Sequence, residues 1–340
     1  MALVDEVRVG LIGAGAVAAR HAATLAGLPA VRLVAVADPM AERARALAAA
    51  HGARAYPDHR ALLAATGFDA VYVCVPPFAH GEPERAVIEA GLPLFVEKPL
   101  ARDLATAEEL ADRITERGLL TATGYHWRCL DTLKPARAAL ASAPPRLVLA
   151  AWLDRVPPPA WWVTRERSGG QTVEQTTHVL DLVRAFMGEP EEVWAVGGRT
   201  PRAAFPTADV DDVTAATLRF AGGAVGSVAS TCLLRGTHRA GLELFGDGVS
   251  VALTETEVVI DAGDGPEVTV ADGQAKVAVD RDFVEAVRGG PDRVRAPYAE
   301  ALRTHRLACA LARSAAAGRP VSLAGDQAAP GPAAGAGAGA

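Results

Sequence analysis

Short aliphatic, β-rich runs alternate with longer alanine-rich stretches over the first third of the chain. The runs at 7–12, 32–37, 70–75, 94–96 and 119–123 are apolar almost throughout, the pattern of strands covered on both faces. The stretches between them have helical length, which predicts βαβ units and a parallel sheet. After Trp152 the texture changes. A proline-rich loop at 157–159 and a helix expected over 173–187 lead into strands that alternate polar and apolar residues. The segments 213–221 and 224–234, joined at Gly222-Gly223, read as a hairpin of an antiparallel sheet with one packed and one open face. A helix over 297–317 follows, and the segment 324–340 is almost entirely Ala, Gly and Pro, a composition expected to be disordered.

The expected fold class is therefore α/β. An N-terminal Rossmann parallel sheet, over residues 1–124, precedes an α+β domain with a large, mainly antiparallel open sheet over 125–323, whose final helix packs back toward the first domain. An open sheet face invites a second copy, so a homodimer or homotetramer is expected. A net charge of -6 gives no pull toward nucleic acid or anionic membrane. No apolar run reaches membrane-span length, and an acidic pair stands near the N-terminus where a signal peptide carries basic residues. A cytoplasmic protein is expected. Cys74, Cys129, Cys232 and Cys309 are widely spaced and read as free thiols, and no metal-ligand set is found.

The first strand runs into Gly13-Ala14-Gly15-Ala16-Val17-Ala18, a G-x-G-x-x-A turn opening a helix. In that setting Gly13 permits the tight turn, Gly15 clears room for a pyrophosphate, and Ala18 lets helix and strand pack closely. Asp38, at the end of the second strand, is placed to bind ribose hydroxyls and to repel a 2′-phosphate, which favours NAD over NADP. It is also a good helix N-cap, and Arg43 nearby keeps NADP open.

Two further segments end at the same crevice. One is Val75-Pro76 through His80, after the third run of the sheet; the other is Glu97-Lys98-Pro99. Only three of the chain's 34 basic residues are lysine, Lys98, Lys134 and Lys276, so an ammonium at a strand terminus suggests chemistry that guanidinium does not supply. A surface lysine is the alternative. Glu174, His178 and Asp181 fall on one face of the expected helix, just after Gly169-Gly170. They would form an acid-base pair near a ligand, or simply a helix-surface pair.

Taken together, Gly13-x-Gly15 with His21, Glu97-Lys98-Pro99 and Gly169-Gly170 followed by His178-x-x-Asp181 resemble the Gfo/Idh/MocA oxidoreductases, named for glucose-fructose oxidoreductase and inositol dehydrogenase. The resemblance implies an NAD(P)-dependent enzyme that oxidises a secondary hydroxyl of a sugar, inositol or related polyol. It implies that Lys98 touches nicotinamide and substrate, and that His178 accepts the proton. Glu174 stands where family members often carry Asp. Gly13, Gly15, Ala16, Val17, Asp38, Val75, Pro76, His80, Glu97 and Lys98 are the expected cofactor residues, and Tyr125, Arg128, Trp162, Gln175 and His178 the expected substrate residues. For Trp162 core packing is an equal reading. Two alternatives are a transient-redox NAD-dependent glycosidase or sugar-modifying enzyme and a dinucleotide sensor without turnover.

Overall fold

The computed structural model describes residues 5–65 and 67–323, so the 324–340 segment lies outside the described residues. Six strands form a parallel sheet: β1 (Val7–Ile12), β2 (Val31–Ala37), β3 (Arg54–Tyr56), β4 (Ala70–Val73), β5 (Leu94–Val96) and β6 (Thr121–Thr123). Their order is β3-β2-β1-β4-β5-β6, the doubly wound order whose switch point lies between β1 and β4. Residues of β1, β4 and β5 are nearly all buried because helices cover both faces. The expected third strand stops at Val73 rather than Val75, ahead of Pro76 and Pro77, and β3 was not expected. That strand has three residues and buries little, so periodicity gives it no signal.

The second sheet has nine strands: β7 (Leu147–Leu153), β8 (Pro190–Gly198), β9 (Val213–Phe220), β10 (Val225–Thr231), β11 (Arg239–Gly246), β12 (Val249–Thr254), β13 (Glu257–Asp261), β14 (Glu267–Val270) and β15 (Val321–Ser322). Its order is β14-β13-β12-β11-β7-β10-β9-β8-β15. All described neighbours are antiparallel except β7 and β10. The β9–β10 hairpin turns at Gly222 and Gly223, whose φ angles of +74° and +81° suit glycine.

Strand β9 alternates strictly between exposed and buried residues. The inner face of the sheet packs under two helices, Thr177–Met187 against β7 and β11 and Tyr298–Ala317 against β8. On the outer face Trp194 pairs with Thr217 and Val196 with Ala215, leaving both larger side chains about half exposed. Helix Tyr298–Ala317 ties the two sheets together. At its start the Tyr298 N–H donates to Thr121 Oγ1 of β6, and near its end Ser314 Oγ accepts the Ala195 N–H of β8. No described helix is long and apolar enough to cross a membrane.

The helix expected over 173–187 is two helices, Gln171–Glu174 and Thr177–Met187. The Gln171 carbonyl accepts both the Gln175 and the Thr176 N–H, and Gln175 leaves regular helix geometry at φ -104°. The 3.6-residue repeat therefore does not run from Glu174 through Asp181.

Candidate active site

At the β1 turn, Gly13 has φ +101°, and a Cβ there would lie 2.2 Å from the Cys74 carbonyl oxygen of the adjoining chain. Both facts exclude a side chain. Gly15 differs, because nothing lies within 4 Å of the position its Cβ would take. It is the N-cap of helix Ala16–Gly27 and supplies no side-chain cap, and no acidic residue stands in the first turn. The leading N–H groups and the positive end of the helix, at Ala16 and Val17, are left for an anion. Asp38 braces this cradle: Oδ2 accepts the Ala14 N–H at 2.8 Å and Oδ1 the Met40 N–H at 2.8 Å. An open glycine, an uncapped helix and a fixed carboxylate at the end of β2 fit a dinucleotide. Val75 and Pro76, both partly exposed, lead out of β4 beside it. His80, expected near the cofactor in a local structural role, turns its side chain inward. Its side chain is fully buried and Nδ1 binds Glu84 Oε1 at 2.6 Å, so it shapes the turn.

Lys98 follows β5, and its ammonium donates to Glu174 twice, to the backbone carbonyl at 3.0 Å and to Oε1 at 3.1 Å. The other carboxylate oxygen of Glu174 accepts the Trp162 indole N–H at 2.7 Å. Glu174 is thereby oriented from both ends. Glu97 turns inward instead, to Arg20 and His21.

His178 opens helix Thr177–Met187 and is almost fully buried. Its ring lies near-parallel to Trp127 and Trp152 at 5.8 and 5.9 Å, with Tyr125 and His126 edge-on at 6.0 and 5.1 Å. Its Nδ1 is buried without a hydrogen-bond partner among the described residues. Burial first, and then the charges of Lys98, Arg20 and Lys276 with His126 close by, hold its pKa well below 6.5. The imidazole is therefore neutral, with one of its two ring nitrogens unprotonated.

The carboxylate partner expected for His178 is absent among the described residues. Because the helix breaks at Gln175, Glu174 swings to Lys98, while Asp181 accepts two hydrogen bonds from Arg128 and one from Thr304. Several expected substrate contacts are corrected with it. Arg128 is committed to Asp181 and Glu300, braces the helix packing and is mostly buried. Trp162 has no exposed surface to offer a sugar ring and serves Glu174. Gln175 is buried against Gln171, and Tyr125 bonds Thr177 Oγ1 at 2.7 Å behind the imidazole.

Groups not foreseen from the sequence are Trp127 and Trp152 beside His178, and a chain from His126 Nε2 to Glu255 (3.2 Å) and on to Lys276 (2.6 Å). The scarcity of lysine that pointed to Lys98 points equally to Lys276. The Trp and His residues carried no such spacing signal.

Residues 7–125 match the family model described as an oxidoreductase family with an NAD-binding Rossmann fold, and residues 144–252 match the GFO/IDH/MocA C-terminal domain. The chain is 29% identical over 245 residues to the myo-inositol 2-dehydrogenase of Thermotoga maritima, covering 71% of this chain and 73% of that one. The solved structure of a putative myo-inositol dehydrogenase from Sinorhizobium meliloti 1021 superposes with a TM-score of 0.78 at 26% identity, covering 93% of this chain and 99% of that chain. A levoglucosan dehydrogenase solved as a complex with NADH has the same fold, with a TM-score of 0.83 at 22% identity over 94% of this chain and 99% of that one. Both sheets, the glycine cradle and these matches agree: the chain belongs to the Gfo/Idh/MocA family of NAD-binding oxidoreductases.

Proposed function

We propose that the protein reversibly oxidises a secondary hydroxyl of a sugar, an inositol or a related polyol, using NAD. The observation that carries this reading is a neutral, buried imidazole, His178, held under the charge of an oriented ammonium, Lys98, near the dinucleotide cradle. Bound nicotinamide supplies the hydride acceptor. Two of the three ammonium protons of Lys98 are engaged by Glu174, which leaves one for the substrate oxygen. That contact strengthens as negative charge grows on the oxygen, which lowers the barrier. His178 takes the hydroxyl proton, and its neighbouring indoles exclude water from the imidazole. The inositol and levoglucosan dehydrogenases among the relatives support a polyol or sugar as substrate.

Asp38 favours NAD. Its carboxylate is fixed by two backbone N–H groups at the end of β2, where a 2′-phosphate would meet its charge. The open face carrying Trp194 and Val196 supports pairing of two copies through the large sheet, and a cytoplasmic setting, where NAD is supplied, suits this chemistry. The test is NAD reduction against a panel of inositols, aldoses and keto-sugars. Stoichiometric NADH from one of them supports the reading. Conversion of a glycoside without net NADH would favour transient redox, and no conversion across the panel would count against it.

A further inference from the structure

His21 lies between two carboxylates. Its Nδ1 is 2.6 Å from Asp280 Oδ1 and its Nε2 is 2.8 Å from Glu97 Oε1, with no solvent exposure. Each contact needs a proton between nitrogen and oxygen, and an imidazolium between two carboxylates supplies both. Burial alone would lower its pKa, but Asp280 and then Glu97 outweigh burial and raise it to about 9. Tyr72 and Phe95 wall the ring in, with centroids at 5.4 and 5.0 Å. The clasp joins three distant segments: helix Ala16–Gly27, the end of β5, and helix Ala275–Val287.

Glu97 carries the clasp forward. Its Oε1 also accepts Arg20 Nη2 at 3.1 Å, and its Oε2 accepts the backbone N–H of Lys98 at 3.0 Å. Gly124 closes the remaining side, because a Cβ there would lie 2.3–2.5 Å from both carboxylate oxygens and their carbon. The carboxylate is thus held by His21 and Arg20, by the Lys98 backbone and by contact with Gly124, with no room to turn.

We propose that Glu97, locked by His21 and Asp280, is the positioning residue for Lys98: it fixes the backbone from which the ammonium reaches Glu174 and the substrate oxygen. This rests on the reading of Lys98 as the group that binds the hydroxyl. Because Asp280 lies on helix Ala275–Val287, which packs against helix Ala16–Gly27 and β6, the aim of Lys98 depends on how that helix seats there. Neither Glu97 nor His21 needs to touch substrate.

The chain has three lysines, so full-length protein labelled in its lysine side chains gives three resolvable NMR signals, assigned by single Lys→Arg changes. Two variants perturb the clasp. Gly124→Ala pushes the Glu97 carboxylate aside with every charge kept, and Asp280→Asn removes the far anchor at equal size. In both, the Lys98 signal should move toward that of Lys134, which is exposed on a separate helix and should itself stay in place. With a substrate in hand, kcat should fall roughly tenfold or more, the scale of one lost charge-assisted hydrogen bond, while KM and NADH affinity change less than about threefold. A Lys98 signal unmoved in a folded variant, or a retained kcat, overturns the proposal. If wild type oxidises nothing in the panel, the functional reading fails while the NMR arm still decides the clasp. Should Asp280→Asn not fold, Gly124→Ala decides alone.

Discussion

Lys98 Nζ reaches Glu174 at two points, 3.0 Å from the carbonyl and 3.1 Å from Oε1, so Glu174 directs the ammonium at its tip while Glu97 holds the backbone it springs from. Glu174→Gln keeps an acceptor but loses the charge, and should lower kcat/KM by about tenfold. Glu174→Ala also strands the Trp162 indole N–H and should cost about a hundredfold. Steady-state kinetics beside NADH titration checks this; cofactor affinity should stay nearly constant.

The imidazole of His178 predicts an unusual acid limb. A general base works when deprotonated, and burial plus the cations around it hold this pKa well below 6.5. The kcat/KM for alcohol oxidation should therefore stay flat as pH falls through 6.5 and drop only well below it. Lys276→Met removes one of those cations and should move the limb upward. A limb centred on 6.5 in wild type would contradict the assignment.

Gly13 and Gly15 should respond in opposite ways to alanine. At Gly13 the new methyl meets the Cys74 carbonyl at 2.2 Å in a left-handed backbone, so Gly13→Ala should cost several kcal/mol of stability, on the order of 2–4. At Gly15 the methyl meets nothing in the protein, so Gly15→Ala should melt like wild type yet bind NADH about tenfold or more weakly, through intrusion on the pyrophosphate. Thermal melts and NADH titration of the two variants separate structure from binding.

How far the sequence could be read follows from these same residues. Gly13, Gly15 and Asp38 were legible because local backbone geometry dictates them, and the parallel sheet because its strands are buried on both faces. The relation that the sequence predicts between Glu174 and His178 rests on an ideal helix. The carbonyl of Gln171 serving two N–H groups breaks that helix and sends Glu174 to Lys98. The tryptophans beside His178 and the His21–Asp280 contact join residues far apart in sequence, and periodicity carries no information about them. Arg128 is expected at the substrate from the family resemblance, and Trp162 as an apolar wall for a sugar ring or, equally, as core. Buried carboxylates claim both.

The outer face of the large sheet offers a separate check. Trp194 is 49% exposed and Val196 54% exposed, on adjoining pairs of the β8–β9 ladder. Val196→Arg together with Trp194→Asp should convert a dimer or tetramer to a smaller species by light scattering, with the far-ultraviolet circular dichroism unchanged. A wild type that is already monomeric at micromolar concentration would contradict pairing through this face.

Oxidation of a secondary alcohol, with Lys98 on its oxygen and His178 taking its proton, is tested most directly by the Lys98→Met variant with the best sugar or polyol found for wild type, following NADH formation and NADH binding on the same preparation. The account predicts near-normal cofactor affinity with turnover lowered by about a hundredfold or more. Turnover within a few-fold of wild type would contradict it.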